Sequence, residues 1–341
     1  MLGHSGGAVG NACETLVERG EAERGGANPR RYRATATTAT AAQCATASHA
    51  PSGPVTTPPA PRQADPQPPA TPPSNGRPQP ITRPNGQQYH PRTLAQLPDV
   101  EALRRLRQAQ VAVLLYGPPG TGKTSLIEAA FPDLITVAGD GDTTVGDLIG
   151  EYTQSANGGY EFVYGPLVNA MQEGRALLLD DATLISPKVL AALYPAMDGR
   201  RQIQVKAHKG ETITAAEGFY VIAGHNPGVH GAVLTEALAS RFSVQVQVGS
   251  DYDLAASLKI NRTAVRIARN LATHQQAGDV GWAPQLRELI AFQKIADVLG
   301  TDAAFANLVG IAPLEDRDTV AEIVTKAIGR PVSALSLGRQ L

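Results

Sequence analysis

The sequence predicts an α/β fold in which a parallel sheet is flanked by helices and carries β-hairpin insertions. Three observations predict it. An apolar run from Val111 to Tyr116 passes directly into a glycine-rich turn and then a helix. Further apolar runs of strand length end in polar residues, as buried parallel strands do at a ligand-binding edge. After Asp251 the apolar residues repeat at helical spacing, which predicts a small all-α domain at the C-terminal end.

These observations divide the chain into four parts. Residues 1–88 form an Ala/Thr/Pro-rich tail that we expect to be disordered, because prolines recur from Pro51 to Pro84 and proline is excluded from the interior of helices and sheets. The α/β domain spans 89–250, the helical domain 251–330, and a short C-terminal tail 331–341. Two interpretations of the first tail stay open: a recruitment arm for a partner, or a spacer or an over-extended start-site assignment.

The glycine-rich turn matches the phosphate-binding pattern G-x-x-x-x-G-K-[ST] in full. Its glycines allow backbone N–H groups to surround phosphate oxygens, Lys123 reaches the terminal phosphates, and the Thr124 hydroxyl binds Mg²⁺. We therefore predict binding of a nucleoside triphosphate, ATP, with Mg²⁺. The predicted binding residues are Gly117, Pro118, Pro119, Gly120, Thr121, Gly122, Lys123, Thr124 and Ser125.

The remaining elements follow from apolar periodicity and from turn residues. Strands are predicted at 134–137, within 175–182, at 219–223 and at 243–248, and hairpins at 151–164 and 202–214. Helices are predicted at 97–106, 144–150, 165–174, 186–197, 234–242, 252–275, 284–299, 302–309 and 316–328.

Polar residues follow two of these strands at the edge where the phosphate-binding loop is expected. Asp180 and Asp181 end one strand, and Asn226 follows another. In a parallel sheet the carboxyl ends of the strands lie together, so these side chains should meet the loop. One aspartate can hold a water of the Mg²⁺ shell, and the other can orient or activate the attacking water. Asn226 is placed to hydrogen-bond a terminal phosphate or that water.

Composition excludes several classes of protein. The formal net charge of −1 gives no overall attraction to a polyanion, so a nucleic-acid partner is not expected. No apolar run approaches the ~18 residues of a membrane-spanning helix, and the N-terminus lacks the apolar core of a signal peptide, which predicts a cytoplasmic protein without a membrane partner. Cys13 and Cys44 both lie in the tail, so we expect neither a disulfide nor a thiolate zinc site in the folded part.

The motifs together resemble the MoxR branch of the AAA+ ATPases, in the dynein-related subfamily, and within it the CbbQ, NirQ and NorQ activators and the cobaltochelatase ATPase subunit. The resemblance covers about residues 89–300. It depends on GPPGTGKT at 117, DLIGEY at 147, F-x-x-GPL at 162, EGRALLLDDA at 173, AAEGF at 215, NPG at 226 and SRF at 240. It implies a P-loop NTPase core with a helical lid domain, and a ring, often a hexamer, with ATP between subunits. It also implies a chaperone-like action on a client, often with a von Willebrand factor A domain partner.

The resemblance assigns further roles. Asp180 matches the Mg²⁺ aspartate, Asn226 the first sensor, Arg241 the arginine finger that enters a neighbouring subunit's site, and Arg287 the second sensor at the start of a lid helix. Arginine suits both of the last two roles because its charge is permanent and its fork spans phosphate oxygens.

Asp181 departs from the family pattern, which usually has glutamate at this position. The aspartate side chain is one methylene shorter, so its carboxylate lies about 1.5 Å farther from the water than a glutamate carboxylate would. A misplacement near 1 Å can cost on the order of 10²-fold in rate. We therefore expect slow hydrolysis, unless the backbone compensates for the shorter side chain.

The expected function is Mg²⁺-dependent ATP hydrolysis by a ring-forming molecular chaperone or activator, whose client could be a metalloenzyme. Asp181, Asn226, Arg241 and Arg287 are the expected catalytic residues, and Thr124 and Asp180 the metal ligands. Three alternatives stay open: a cobaltochelatase-like subunit for metal insertion, a nucleotide-dependent assembly scaffold with weak turnover, and a nucleic-acid motor.

Overall fold

The structure is a computed structural model that describes residues 22–27, 30–34 and 78–338. The strands β1 (Ala22–Ala27) and β2 (Arg30–Ala34) pair antiparallel as a separate hairpin. Most of the predicted disordered tail, both cysteines, and residues 339–341 lie outside the described residues. The continuous part starts before the predicted boundary at residue 88, and within it Arg83 forms an ion pair of 2.7 Å with Glu128.

The continuous part contains thirteen strands, twelve α-helices and one 3-10 helix (Ala182–Leu184) among residues 78–338. The strands are β3 (Ile81–Thr82), β4 (Gln88–Tyr89), β5 (Thr93–Leu94), β6 (Leu97–Pro98), β7 (Val113–Tyr116), β8 (Ile135–Ala138), β9 (Gly150–Gln154), β10 (Tyr160–Tyr164), β11 (Ala176–Asp180), β12 (Gln202–Val205), β13 (Glu211–Thr214), β14 (Tyr220–His225) and β15 (Val244–Gln247). The helices are α1 (Asp99–Gln108), α2 (Lys123–Ala130), α3 (Val145–Ile149), α4 (Pro166–Glu173), α5 (Pro187–Leu190), α6 (Tyr194–Met197), α7 (Glu236–Ala239), α8 (Tyr252–Ser257), α9 (Arg262–Ala277), α10 (Leu286–Leu299), α11 (Thr301–Gly310) and α12 (Arg317–Ile328).

Five strands form a parallel sheet in the order β15-β7-β14-β11-β8. The central strands are buried and apolar up to their carboxyl ends, because helices cover both faces of the sheet. All five strands point the same way, so their carboxyl ends lie at one edge. The predicted parallel α/β core is confirmed.

In the central strands β7, β11 and β14, alternate residues enter two different apolar cores, as the two-residue period of a strand requires. On one face Leu114 and Leu177 pack in a cluster that includes Leu167 and Met171 of α4. On the other face Val113 and Leu178 pack in a cluster that is completed largely by α1 and α2. The sheet is therefore packed on both faces, and this packing fixes the edge at which the carboxyl ends of the strands lie.

Two antiparallel hairpins, β9–β10 and β12–β13, lie outside the parallel sheet, as predicted. They contact one another through His208, whose ring stacks on Phe162 with centroids 4.7 Å apart. Tyr152 adds a hydrogen bond of 3.2 Å between its hydroxyl and His208 Nδ1. Tyr160 of the first hairpin is 76% exposed. The two insertions thus share one aromatic cluster.

The C-terminal helices α8–α12 pack around an apolar core of their own, which includes Leu271, Leu289 and Phe292. Three predicted helices were too long. The helix over 252–275 is interrupted after Ser257, where Lys259 adopts a positive φ and Asn261 caps α9 through its side chain. The helix over 186–197 is divided into α5 and α6.

Proline explains that division. Pro195 lies in the first turn of α6, where its missing N–H costs nothing, but it cannot continue the helix that begins at Pro187. The helix over 234–242 contracts to α7, capped by the Thr235 side chain. No helix among the described residues is both long enough and apolar enough to cross a membrane.

Candidate phosphate-binding and hydrolysis site

The glycine-rich loop connects the end of β7 to the first turn of α2. Gly122 adopts a left-handed φ of 89° immediately before Lys123. Gly117 has a φ of 150°, and a Cβ at this position would lie 2.2 Å from the Val248 carbonyl oxygen. No L side chain tolerates that approach, so the loop needs glycine where it passes the end of β15.

The other loop residues shape the backbone around Lys123. The Thr121 hydroxyl donates to the Pro118 carbonyl at 3.0 Å, and the residue is buried. Pro119 is exposed at the tip, and Ser125 is half-buried in the first turn of α2. The unpaired N–H groups and the dipole of the first turn of α2 make this end of the helix favourable for an anion.

Lys123 is the most constrained charged group of the site and is only 6% exposed. Its ammonium group donates to the Gly117 carbonyl at 2.8 Å, the Pro118 carbonyl at 2.9 Å and Asn226 Oδ1 at 2.6 Å. These three bonds use the full donor capacity of an ammonium group. Burial lowers the pKa of Lys123 to about 8, although the charges of Asp180 and Asp181 oppose the shift.

Thr124 and Asp180 lie together at the same edge. The Thr124 hydroxyl donates to Asp180 Oδ2 at 2.9 Å, joining the first turn of α2 to the end of β11. The neighbouring strand allows this through Gly224, where a Cβ would lie only 2.8 Å from Asp180 Oδ1. Glycine within a strand often marks such a close approach, and this signal could have identified Gly224 from the sequence.

Asn226 bridges the lysine to the second aspartate. Its side-chain amide donates to Asp181 Oδ1 while its Oδ1 accepts from Lys123. Asp181 adopts a left-handed φ of 51°, a conformation in which aspartate is enriched relative to other non-glycine residues. Aspartate at position 181 therefore suits the left-handed backbone conformation, although its side chain is shorter than that of glutamate.

His225 lies beside this bridge but is turned into the protein. Its Nδ1 is 2.8 Å from the Thr183 hydroxyl, and the residue is buried. Burial lowers the pKa of His225, and the Lys123 charge lowers it further. The neutral ring is paired with Thr183 and acts as a structural group.

Arg287 of the helical part reaches the loop directly. Its backbone N–H donates to the Gly120 carbonyl at 3.1 Å, and its Cβ would lie 3.1 Å from a Cβ at Gly120. The charge of Arg287 also opposes protonation of Lys123. The structure therefore brings Arg287 to the same phosphate-binding edge, from a helix that begins one residue earlier.

Arg241 lies elsewhere in the same chain. Its guanidinium carbon is 4.0 Å from the centroid of the Tyr194 ring, and Nη1 donates to the Ala237 carbonyl at 3.0 Å. Among the described residues it has no hydrogen bond with the loop residues or with the two aspartates. Of the predicted catalytic residues, Arg241 is the one that is not brought to the site by contacts within the chain.

Arg92 is a site residue that sequence reasoning missed. Its Nη1 donates to the Thr121 carbonyl at 3.2 Å and to the Gly249 carbonyl at 3.3 Å. It thus connects the segment before α1 to the loop and to the connection that leads into the helical part. The groove beside it has a volume of about 630 Å³ and includes Leu126 and Tyr252 in its lining. No local pattern marks Arg92, because its partners are distant in sequence.

The phosphate-binding loop, both aspartates and Asn226 lie within the part of the chain that matches a known family. A sequence profile of the family described as AAA domain (dynein-related subfamily) matches residues 112–242. An uncharacterised protein of Staphylococcus epidermidis is 31% identical over 238 residues, which cover 63% of this chain and 89% of that protein. An uncharacterised protein of Staphylococcus haemolyticus is 32% identical over 241 residues, which cover 64% and 89%. The chain is also similar to a crystal structure of a candidate ATPase from Cytophaga hutchinsonii, with 19% identity and a TM-score of 0.38; the match covers 68% of this chain and 81% of the chain in that structure.

Proposed function

We propose that this chain, whose residues 112–242 match the profile of the AAA domain of the dynein-related subfamily, hydrolyses ATP with Mg²⁺ as one subunit of a ring. The observation that carries the proposal is the chain of side chains from Lys123 through Asn226 to Asp181, beside the pair formed by Thr124 and Asp180. A cation, an amide and two carboxylates meet at the N-terminus of α2. This is the set of groups that phosphoryl transfer requires.

Binding of the triphosphate begins with an exchange of hydrogen bonds at Lys123. Its three donors are directed at two loop carbonyls and Asn226. A terminal phosphate offers charged acceptors, which are stronger partners than neutral carbonyls. Lys123 turns toward them, and the backbone N–H groups of the loop surround the remaining phosphate oxygens.

The oxygens of Thr124 and Asp180 suit Mg²⁺. A hydroxyl and a carboxylate are hard oxygen donors, and the 2.9 Å hydrogen bond between them places both beside the loop. Thr124 and Asp180 would hold the ion. Mg²⁺, when bound, neutralises charge on the phosphate oxygens.

Asp181 and Asn226 are the groups that orient the attacking water. They are hydrogen-bonded to each other, so their positions are coupled. Asp181 accepts a proton from the water, while Asn226 holds the Asp181 carboxylate in place through its hydrogen bond. Arg287 contributes positive charge from the helical part, and Arg241 contributes it to the site of a neighbouring subunit. Each site is complete only between two copies.

The ring, which we take to be a hexamer, is proposed to act as a chaperone that remodels or activates a client protein. The backbone of Arg287 hydrogen-bonds the loop at Gly120, so loss of the terminal phosphate would shift the helical part together with the loop. The aromatic cluster around His208 joins the two hairpins, which lets them move as one unit. A partner with a von Willebrand factor A domain would connect the ring to its client.

One observation favours a second candidate, an assembly scaffold that binds ATP and turns it over weakly. The carboxylate of Asp181 accepts from Asn226, and its side chain is one methylene shorter than glutamate. A carboxylate held back in this way orients water poorly. Ring formation with bound ATP but without turnover would favour the scaffold.

Comparison of the wild-type chain with Lys123→Ala tests the proposal. Lys188→Ala is the matched control, since this exposed lysine lies on the short helix α5. We expect ATP hydrolysis in the wild type and in Lys188→Ala, and loss of both nucleotide binding and hydrolysis in Lys123→Ala. Light scattering with and without ATP measures assembly. A wild-type chain that neither binds nor hydrolyses ATP contradicts the proposal.

A further inference from the structure

We propose that Tyr194 is a positioning residue that supports Arg241 for its action in the neighbouring subunit's site. The inference rests on the proposed function, because it assigns the aromatic ring a part in a site shared between two copies. Tyr194 belongs to none of the motifs and does not contact the phosphate-binding loop. It is the first residue of α6, the second of the two short helices into which the predicted helix over 186–197 is divided.

The contact itself is close. The guanidinium carbon of Arg241 lies 4.0 Å from the Tyr194 ring centroid, well inside the distance at which a cation is attracted by an aromatic face. Tyr194 and Met197 pack against an apolar cluster that includes Ala196, so the ring is anchored by the protein core. Arg241 therefore rests on a fixed surface.

The geometry leaves the guanidinium able to bind phosphate. A guanidinium that stacks through its face keeps its N–H groups in its own plane, where they can meet phosphate oxygens. Among residues 78–338, its hydrogen bonds leave only from Nη1, to the Ala237 carbonyl and more weakly to the Ser240 hydroxyl. Nε is buried without a partner among those residues, which leaves Nη2 as the nitrogen that can meet a phosphate oxygen. The contact with the Tyr194 ring and the binding of phosphate thus use different parts of the group.

Asp198 supports the same orientation. It follows α6, and its pKa is held below its usual range mainly by the hydrogen bond from Arg200, with a smaller contribution from the charge of Arg241. Arg241 is therefore attracted toward the surface that Tyr194 belongs to. An arginine side chain carries much rotamer freedom, and a platform that restricts this freedom before assembly lowers the cost of ordering it in the shared site.

A mixing experiment separates this role from a general role in folding. Copies with Lys123→Ala lack a working loop but still offer Arg241. Copies with Arg241→Ala keep the loop but offer no arginine. A mixture of the two restores turnover where the loop of one copy meets the arginine of the other.

Tyr194→Leu is then placed in one type of copy at a time. In the arginine-offering copy we expect turnover of the mixture to fall about fivefold, with KM for ATP unchanged, because ATP binds to the other copy's loop. The same substitution in the loop-offering copy should not lower turnover. Tyr194→Phe in the arginine-offering copy keeps the ring and should restore turnover.

Three results would overturn the inference. One is an equal loss from both placements, which indicates a structural role. The second is no loss from Tyr194→Leu in the arginine-offering copy. The third is a mixture that shows no turnover although the wild type hydrolyses ATP. This result would mean that Arg241 does not act in a neighbouring copy, and it would leave the proposed ATP hydrolysis intact. If the wild type shows no ATP hydrolysis that Lys123→Ala abolishes, the proposed function itself is contradicted, and the inference fails with it.

Discussion

Gly224→Ala should impair hydrolysis by moving Asp180 without unfolding the protein. A Cβ at position 224 would lie 2.8 Å from Asp180 Oδ1, whereas an ordinary contact begins near 3.4 Å. The difference between these two distances requires a shift of about 0.6 Å. The other atoms near this Cβ, Asp181 N and Asp180 Cα, are at 3.8 and 3.9 Å and need not move. The carboxylate, at the end of a flexible side chain, is therefore the group that gives way.

The size of the effect follows from this shift. A misplacement of about 1 Å in a catalytic group can cost on the order of 10²-fold, so about 0.6 Å should lower kcat on the order of tenfold. The displaced carboxylate also leaves the Thr124 hydroxyl, so activation should need more Mg²⁺ than in the wild type. Steady-state ATP hydrolysis titrated with Mg²⁺ measures both, and thermal unfolding checks that the fold is retained.

Gly141→Ala is the matched control for this substitution. A Cβ at position 141 has no atom within 4 Å among the described residues, and Gly141 does not have a left-handed φ. It should behave like the wild type in both assays. Wild-type kcat and wild-type Mg²⁺ dependence in Gly224→Ala would refute the reasoning, since Asp180 would then tolerate the shift or play no part in the reaction.

Two further predictions concern the ionisation of Lys123 and the length of Asp181. Because the pKa of Lys123 is lowered to about 8, the free chain loses this positive charge as pH rises through that value, and kcat/KM for ATP should decline there while kcat stays level. A kcat/KM that is flat to about pH 9.5, well above this pKa, would show that the ammonium is not titrating in the free protein. Asp181→Glu should raise kcat by advancing the carboxylate toward the water, with a small loss of thermal stability because the left-handed φ of 51° suits aspartate better. Unchanged or lower turnover would mean that the side-chain length does not limit the rate.

The loop and the strand-end residues could be predicted because their geometry follows from local rules. A complete phosphate-binding pattern between a strand and a helix has few alternative structures, and parallel strands bring their carboxyl ends to one edge. Those two rules are enough to place Asp180 beside Thr124 and Asn226 beside Lys123, as the structure does.

Helix lengths were less predictable. Apolar spacing continues across the break between α8 and α9, although the backbone turns at Lys259 and the chain begins a new helix after Asn261. Periodicity measures which residues face the core and is insensitive to a short break between two helices that share that core. Pro195 was a visible signal for the break between α5 and α6, but a proline in a first turn and a proline inside a helix look alike in sequence.

The sequence by itself determined that this chain has a phosphate-binding loop on a parallel α/β core, followed by helices. These properties depend on residues close together in the chain and on the direction of the strands. Only the tertiary structure decided that Arg92 joins the loop to Gly249, that Gly224 makes room for Asp180, and that Arg241 rests on Tyr194. Each of these contacts joins segments whose distance and orientation are set by packing of the whole core, and no local pattern identifies the partner residue.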